Sequence, residues 1–297
     1  MRSSKTIGKL LLPLCLTAFA LACGTGDNGA DNGNGNDNGN GENGGDGAYV
    51  LAYDGNGHTE GTVPGSVNLD FDQHTEIADP GDFRGPDMQD GIKRRFVGWN
   101  TEADGSGDSY QPGEDFYMPD NDLTLFAQWT TGDEVIRNVA PSGGLVFYDK
   151  GAASDGWRYM EAAPASTEIV DAPWGAYGTP IEGTSEEIGT GRANTDILVA
   201  ALDAAGESGT AAQLADSLEH GGYSDWFLPS QHEMRDMLME LAIEDGDVGD
   251  FSQRNYWTST AVEGMLDEIA MAYNGALSTS APQKRDREYL VRAARTF

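Results

Sequence analysis

The sequence predicts an α+β protein made of two successive modules. Residues 49–130 alternate apolar and polar positions over short runs cut by Gly and Pro, the pattern of half-buried strands. Around residues 230–241 the apolar period changes to that of a helix, behind a capping box. The runs YWTSTA, EIAMAYNG and YLVRAARTF then return to strand character, the last as a closing strand.

Ahead of the first module the chain changes character at one residue. Arg2, Lys5 and Lys9 precede an apolar run, Leu10 to Leu21. At about 12 residues it is too short to cross roughly 30 Å of hydrocarbon as a helix, so it reads as a secretory signal. The residues around Cys23 (Ala20-Leu21-Ala22, then Gly24) resemble the lipobox of bacterial lipoproteins. The resemblance implies that residues 1–22 are removed and that Cys23 carries the lipid. The protein is then exported and anchored at the outer membrane or cell surface, touching membrane only through that lipid. The Gly/Asn/Asp tract that follows, within residues 23–48, has no large apolar residue to offset the entropy of ordering it. It is expected to be a disordered tether, about 27 Å end to end as a coil and about 80 Å stretched. Its Asp/Asn-Gly alternation invites a calcium reading, but an EF-hand needs a glutamate at its twelfth position and helices on both sides, and no helical segment flanks this tract.

Charge narrows the partners. The 297 residues include 49 acidic and 18 basic ones, a formal net charge of −31. Removing residues 1–22 takes away three of the basic residues and none of the acidic, giving −34. Such a surface repels nucleic acid and anionic membrane. Cys15 leaves with the signal and Cys23 is used by lipid, so the folded part holds no cysteine. That excludes a disulfide, a zinc-thiolate site and a cysteine nucleophile; no cofactor or metal is expected.

In the first module, Tyr49, Leu51 and Tyr53 alternate into the turn Asp54-Gly55-Asn56-Gly57. Phe96, Val97 and Trp99 form a second strand, and Leu123, Leu125 and Ala127 a third. Trp99 and Trp129 read as core aromatics rather than ligand platforms. The strings YDGNG, FVGWNTEADGSGDSY and MPDNDLTLFAQW resemble the Listeria–Bacteroides repeat, the B-repeat of internalin-type surface proteins. The resemblance spans residues 49–130 and implies a small β-grasp-like spacer. Residues 131–140, polar and punctuated by Gly and Pro, read as a linker, so each module is expected to melt cooperatively alone.

In the second module, residues 141–297, GGLVFYDKG and GWRYMEAAP read as strands. Ile197, Leu198, Ala201 and Leu202 lie on one helix face. Ser230 and Glu233 form the capping box of a second helix, with Met234, Met237, Leu238 and Leu241 recurring behind it. Ser230, His232 and Glu233 share one turn and do not face one another, so they make no triad. The strings GGLVFYDKG, IGTGRANT, GGYSDWFLPSQHEM, YWTST and YLVRAARTF resemble the family of the C-terminal domain of the Legionella collagen-like protein, in the C-type-lectin-like group that also holds the formylglycine-generating enzymes. The resemblance implies two helices flanking a small twisted antiparallel sheet, with long loops on one side and Trp226 and Trp257 in the core.

The chemistry of that group departs here. Its catalytic branch uses paired cysteines, which this module lacks, and the Glu-Pro-Asn, Gln-Pro-Asp and Trp-Asn-Asp signatures of calcium-dependent lectins do not occur in residues 141–297. The acidic run Glu244-Asp245-Gly246-Asp247 reads as a solvated loop. By the resemblance, the variable loops are Ala261–Leu266 and Asn274–Arg287. Asn274, Ser278, Ser280, Gln283, Lys284 and Arg285 are the candidate ligand-binding residues. Lys284, Arg285 and Arg287 form a basic cluster in an acidic chain, suited to a sulfated or uronic glycan. The expected function is a lipid-anchored surface binding or adhesion protein, not an enzyme, recognising a glycan or surface-protein ligand. The rivals are a polysaccharide hydrolase and a structural envelope protein without ligand.

Overall fold

The computed structural model describes residues 48–297 apart from 244, 245, 263, 266, 277 and 278. These fall in one compact unit, Asp46–Phe297. The signal, Cys23, nearly all of the tether, the Glu244-Asp245 pair and Ser278 lie outside the described residues.

Alternation builds the first module as expected. Its strands are β1 (Tyr49–Asp54), β2 (Val67–Leu69), β3 (His74–Glu76), β4 (Phe96–Asn100), β5 (Ser109–Tyr110), β6 (Asp115–Tyr117) and β7 (Leu123–Trp129). Five of them order as β2-β1-β7-β4-β5, and β3 pairs with β6. The first and last strands run parallel, with Leu51 opposite Leu123 and Tyr53 opposite Leu125. Leu51, Trp99, Leu125 and Ala127 are fully buried on one face. Both tryptophans spend their indole N–H inside the module: Trp99 Nε1 donates to Ala78 O at 2.9 Å and Trp129 Nε1 to Asn56 O at 3.0 Å. Asn56 itself takes φ 41° beside Gly57 at 87°, the left-handed pair that an Asn-Gly turn supplies at low cost. The buried Asn100 explains the string after it. Its amide accepts from the N–H groups of Glu102 and Gly107 and donates to Gly107 O and Ser109 Oγ, holding loop 101–108 in place.

Residues 131–140, expected as a linker, are partly core. Val135, Asn138 and Ala140 are buried, and Val135 and Ala140 cluster with Ile92 of the first module and Val146 and Tyr159 of the second. Lys93 and Val139 exchange both backbone hydrogen bonds, at 2.8 and 2.9 Å, and Val139 bridges on to Leu145. Backbone pairing therefore continues from one module into the next. The apolar residues in an otherwise polar stretch are the ones that make this seam.

The second module comprises β8 (Leu145–Ser154), β9 (Trp157–Ala162), β10 (Ile169–Pro173), α1 (Gly191–Ala205), α2 (Ala211–Asp216), α3 (Gln231–Leu238), a π-helical turn (Met239–Ile243), β11 (Asn255–Ala261), β12 (Ile269–Asn274), β13 (Thr279–Lys284), β14 (Glu288–Val291) and β15 (Ala294–Thr296). One sheet orders β10-β14-β11-β12-β13 and another β15-β9-β8. Adjacent β11 residues divide the core between them. Trp257 packs with Leu198 and Leu202 of α1 and the alanines of α2. Tyr256 packs with Met234, Met237 and Leu238 of α3. Trp226 and Trp257 are both in the core. The larger sheet is mixed, not antiparallel as expected: β14 returns on the far side of β11 from β12 and meets it in parallel at Tyr256 and Leu290.

Candidate functional site

The capping box of α3 organises the region where polar side chains collect. Ser230 Oγ accepts from Glu233 N, and Glu233 Oε2 accepts from Ser230 N at 2.7 Å. The other carboxylate oxygen reaches a second helix, accepting from Gly189 N at 2.8 Å and Gly191 N at 3.1 Å at the start of α1. Glu233 is fully buried. Burial raises its pKa, opposed by the backbone donors of Ser230, Gly191, Gly189 and Thr190. Gly191 has no room for a side chain, since a Cβ there would lie 2.1 Å from Glu233 Oε2. One carboxylate thus ties the starts of α1 and α3 together.

The segment leading into α1, residues 184–187, is clamped by its backbone. Ser185 N donates to Asn194 Oδ1 at 2.9 Å, and Asn194 Nδ2 donates back to Ser185 O at 2.7 Å. His232 N donates to Glu186 O at 3.0 Å, and Ser230 Oγ donates to Glu187 O at 2.9 Å. Ala261 N donates to Thr184 Oγ1 at 3.1 Å. With its backbone turned inward, the segment presents the side chains of Glu186 and Glu187 to solvent.

Between this segment, the start of α3 and the ends of β11 and β12 lies an open groove of about 510 Å³. Thr184, Ser185, Glu186, Glu187, Gln231, Thr260, Ala261, Val262 and Met271 line it. Thr260 Oγ1 accepts from Gln231 N and donates to Ser185 O, fixing the floor. Gln231 Nε2 donates to Ser280 Oγ at 3.0 Å. His232 Nδ1 stands 3.4 Å from Glu187 Oε2 at the rim. Among the described residues, no group of three or more His, Cys, Asp and Glu is arranged to hold a metal.

The candidate residues named from sequence do not converge. The stretch 274–287 is a strand and its turns rather than an open loop, because β13 pairs with β12 from Thr279 opposite Asn274 to Lys284 opposite Ile269. Asn274 and Lys284 therefore stand at opposite ends of the hairpin, roughly 17 Å apart along the strands. Asn274 Nδ2 donates to Asn255 Oδ1 at 2.8 Å. Gln283 Oε1 accepts from Tyr289 OH at 2.8 Å. Of the six, Ser280 reaches the groove wall, through Gln231.

Arg285 corrects the basic cluster. It is fully buried, with its guanidinium 4.2 Å over the Trp174 ring. Its Nη1 donates to Ala176 O and Thr179 O at 3.2 and 3.1 Å. Burial pulls its pKa down to about 10. Lys284 and Arg287 are exposed, but Arg285 is no surface cation. The groove residues carry no periodic signal, which is why sequence reasoning passed over them; the dense hydroxyl and acid content of GTSEE between two glycines was the trace available.

Comparison with known proteins agrees on the first module. Residues 49–128 match the Listeria-Bacteroides repeat domain. Two proteins of Evansella cellulosilytica share sequence with the chain. One, named "Putative membrane protein", is 33% identical over 98 residues, 33% of this chain and 14% of that protein. The other, named "Putative Gly-rich membrane protein", is 37% identical over 81 residues, 27% of this chain and 9% of that protein. The matched stretches are thus a small part of either relative. Among the described residues, no helix is long and apolar enough to cross a membrane.

Proposed function

We propose that this is an exported, lipid-anchored surface protein in which the repeat carries a C-type-lectin-like head, and that the head binds an extracellular ligand in the groove beside α3. The signal-like N-terminus and Cys23 supply the anchor. The repeat and the names of the two relatives support a place at the envelope. The observation that carries the binding role is the groove itself. It is wide and open, with polar and apolar walls, and the segment 184–187 is held by paired hydrogen bonds to Asn194 while its side-chain carboxylates are exposed. Rigid walls with uncommitted polar groups favour recognition, because little ordering cost falls on the protein at binding.

The hydrolase reading fares worse at this site. Cleavage of a glycosidic bond uses two carboxylates on opposite sides of the bond. Glu186 and Glu187 are sequence neighbours on one wall. Among the described residues, the carboxyls whose pKa burial raises, Glu161 and Glu233, are sealed in the interior. Glu161 there pairs with Arg295 at 2.6 Å. The test is to probe arrays of glycans and envelope proteins with the intact protein, and to incubate it with the polysaccharides retained. Saturable retention without new reducing ends is the expected result. Release of reducing ends contradicts the binding role, and absence of any retention favours a structural protein.

A further inference from the structure

We propose that the groove selects a hydroxyl-rich glycan bearing amino groups, and discriminates against sulfated or uronic glycans; this rests on the groove being the ligand site. The groove walls leave hydrogen-bonding capacity unused. Among the described residues, the Glu186 carboxylate has no hydrogen-bond or ion-pair partner, and Glu187 has His232 Nδ1 at 3.4 Å and feels the charge of Arg235. Gln231 spends one amide N–H on Ser280, and among the described residues nothing donates to its Oε1. Ionised carboxylates and an amide oxygen can only accept. The Thr184 and Ser185 hydroxyls and the second amide N–H of Gln231 remain as neutral donors, but the charged groups at the walls are carboxylates that only accept, and a complementary ligand brings donors to them. A sugar hydroxyl brings one and an ammonium three, the latter with a charge that two carboxylates stabilise.

Charge points the same way. None of the nine lining residues is Lys or Arg. Arg285, which would have strengthened an anion site, lies over Trp174 in the interior. Lys284 shares a sheet face with the groove's Met271, since it stands opposite Ile269, two residues along β12. Lys284 and Arg235, whose charge is felt by Glu187 of the groove wall, are the cations that an anionic ligand would meet. The net charge of −31 adds a long-range field that attracts cations and repels anions. The methyls of Ala261 and Val262 and the thioether of Met271 give the apolar wall against which the C–H face of a sugar ring can lie.

The experiment is calorimetric titration of the intact protein, at low salt and pH 6, with tetramers of glucosamine, of N-acetylglucosamine and of galacturonate. The glucosamine tetramer is expected to bind at least tenfold more tightly than galacturonate. Glu186→Gln with Glu187→Gln should weaken it five- to tenfold while changing the acetylated tetramer less than twofold. Val262→Trp, which fills the groove without altering charge, should abolish both, and Lys284→Ala should leave both unchanged. Galacturonate binding that is lost in Val262→Trp and weakened by Lys284→Ala overturns the amine preference and leaves the groove as the site. Glucosamine binding that survives Val262→Trp overturns the groove as well. Binding of none of the three tetramers overturns the preference.

Discussion

The phenol of Tyr159 donates to Asp90 Oδ2 at 3.0 Å and accepts from Gln89 Nε2 at 3.1 Å, joining a strand of the second module to the repeat. Burial, with the Asp90 hydrogen bond second, pushes the Tyr159 phenol up to about 12 from its ordinary value of 10.0. A group whose pKa is raised by folding stabilises the protein while protonated. Its contribution is complete below pH 10 and is lost as pH climbs from about 10 to about 12. Tyr159→Phe should cost about 1–2 kcal/mol at pH 8 and should flatten the alkaline loss of stability. Urea unfolding of both proteins at pH 8 and pH 11 checks this; an equal alkaline loss in the two contradicts it.

Ile92 belongs to the repeat, yet it packs with Val135, Ala140, Val146 and Tyr159. Truncating a buried isoleucine to alanine costs about 2–5 kcal/mol. Ile92→Ala should therefore destabilise both modules together. Calorimetry of residues 48–297 should give one transition, shifted down in the variant. Two transitions, only the lower of which moves, would show the modules to be as independent as the sequence reading expected.

Arg285 and its neighbour Lys284 should behave oppositely. Arg285→Ala removes a guanidinium stacked on Trp174 and leaves the carbonyls of Ala176 and Thr179 without that donor. The expected loss is about 2–4 kcal/mol. Lys284→Ala, at an exposed edge position, should stay within about 0.5 kcal/mol. Equal effects in thermal melts would contradict the inward placement of Arg285.

These contrasts mark where sequence reading holds. Leu51, Leu125 and Ala127 announce their strands by alternation, because burial of one face is written at every second position. The helix at Ser230 announces itself because both partners of its capping box lie within four residues. The same box in Thr210 and Gln213 starts α2, and could have been read in the same way. The stretch TSAPQK is placed in a variable loop by the resemblance, and its Pro282 and lack of large apolar residues give no periodic sign to the contrary. It is in fact the edge strand β13, where a missing N–H does least harm. Arg285 is buried by Trp174, more than a hundred residues away, and the groove is assembled from four separate segments. Long-range pairings of that kind leave no local pattern.

The anchor is tested independently of the fold. Cys23→Ser should move the protein from the membrane fraction to the soluble fraction of cells, and intact-mass measurement of the wild type should show an acyl increment. Unchanged fractionation together with an unmodified mass would remove the lipid anchor from the account.

The central claim is that the groove beside α3 receives the ligand. Hydrogen–deuterium exchange of the intact protein, with and without the ligand retained on the arrays, tests it most directly. The account predicts slowed exchange in residues 184–187, 231–235 and 260–262, with little change around Asn274 at the hairpin turn. Protection confined to residues 219–224 or to the β12–β13 turn, with the groove segments exchanging as in the free protein, would contradict it.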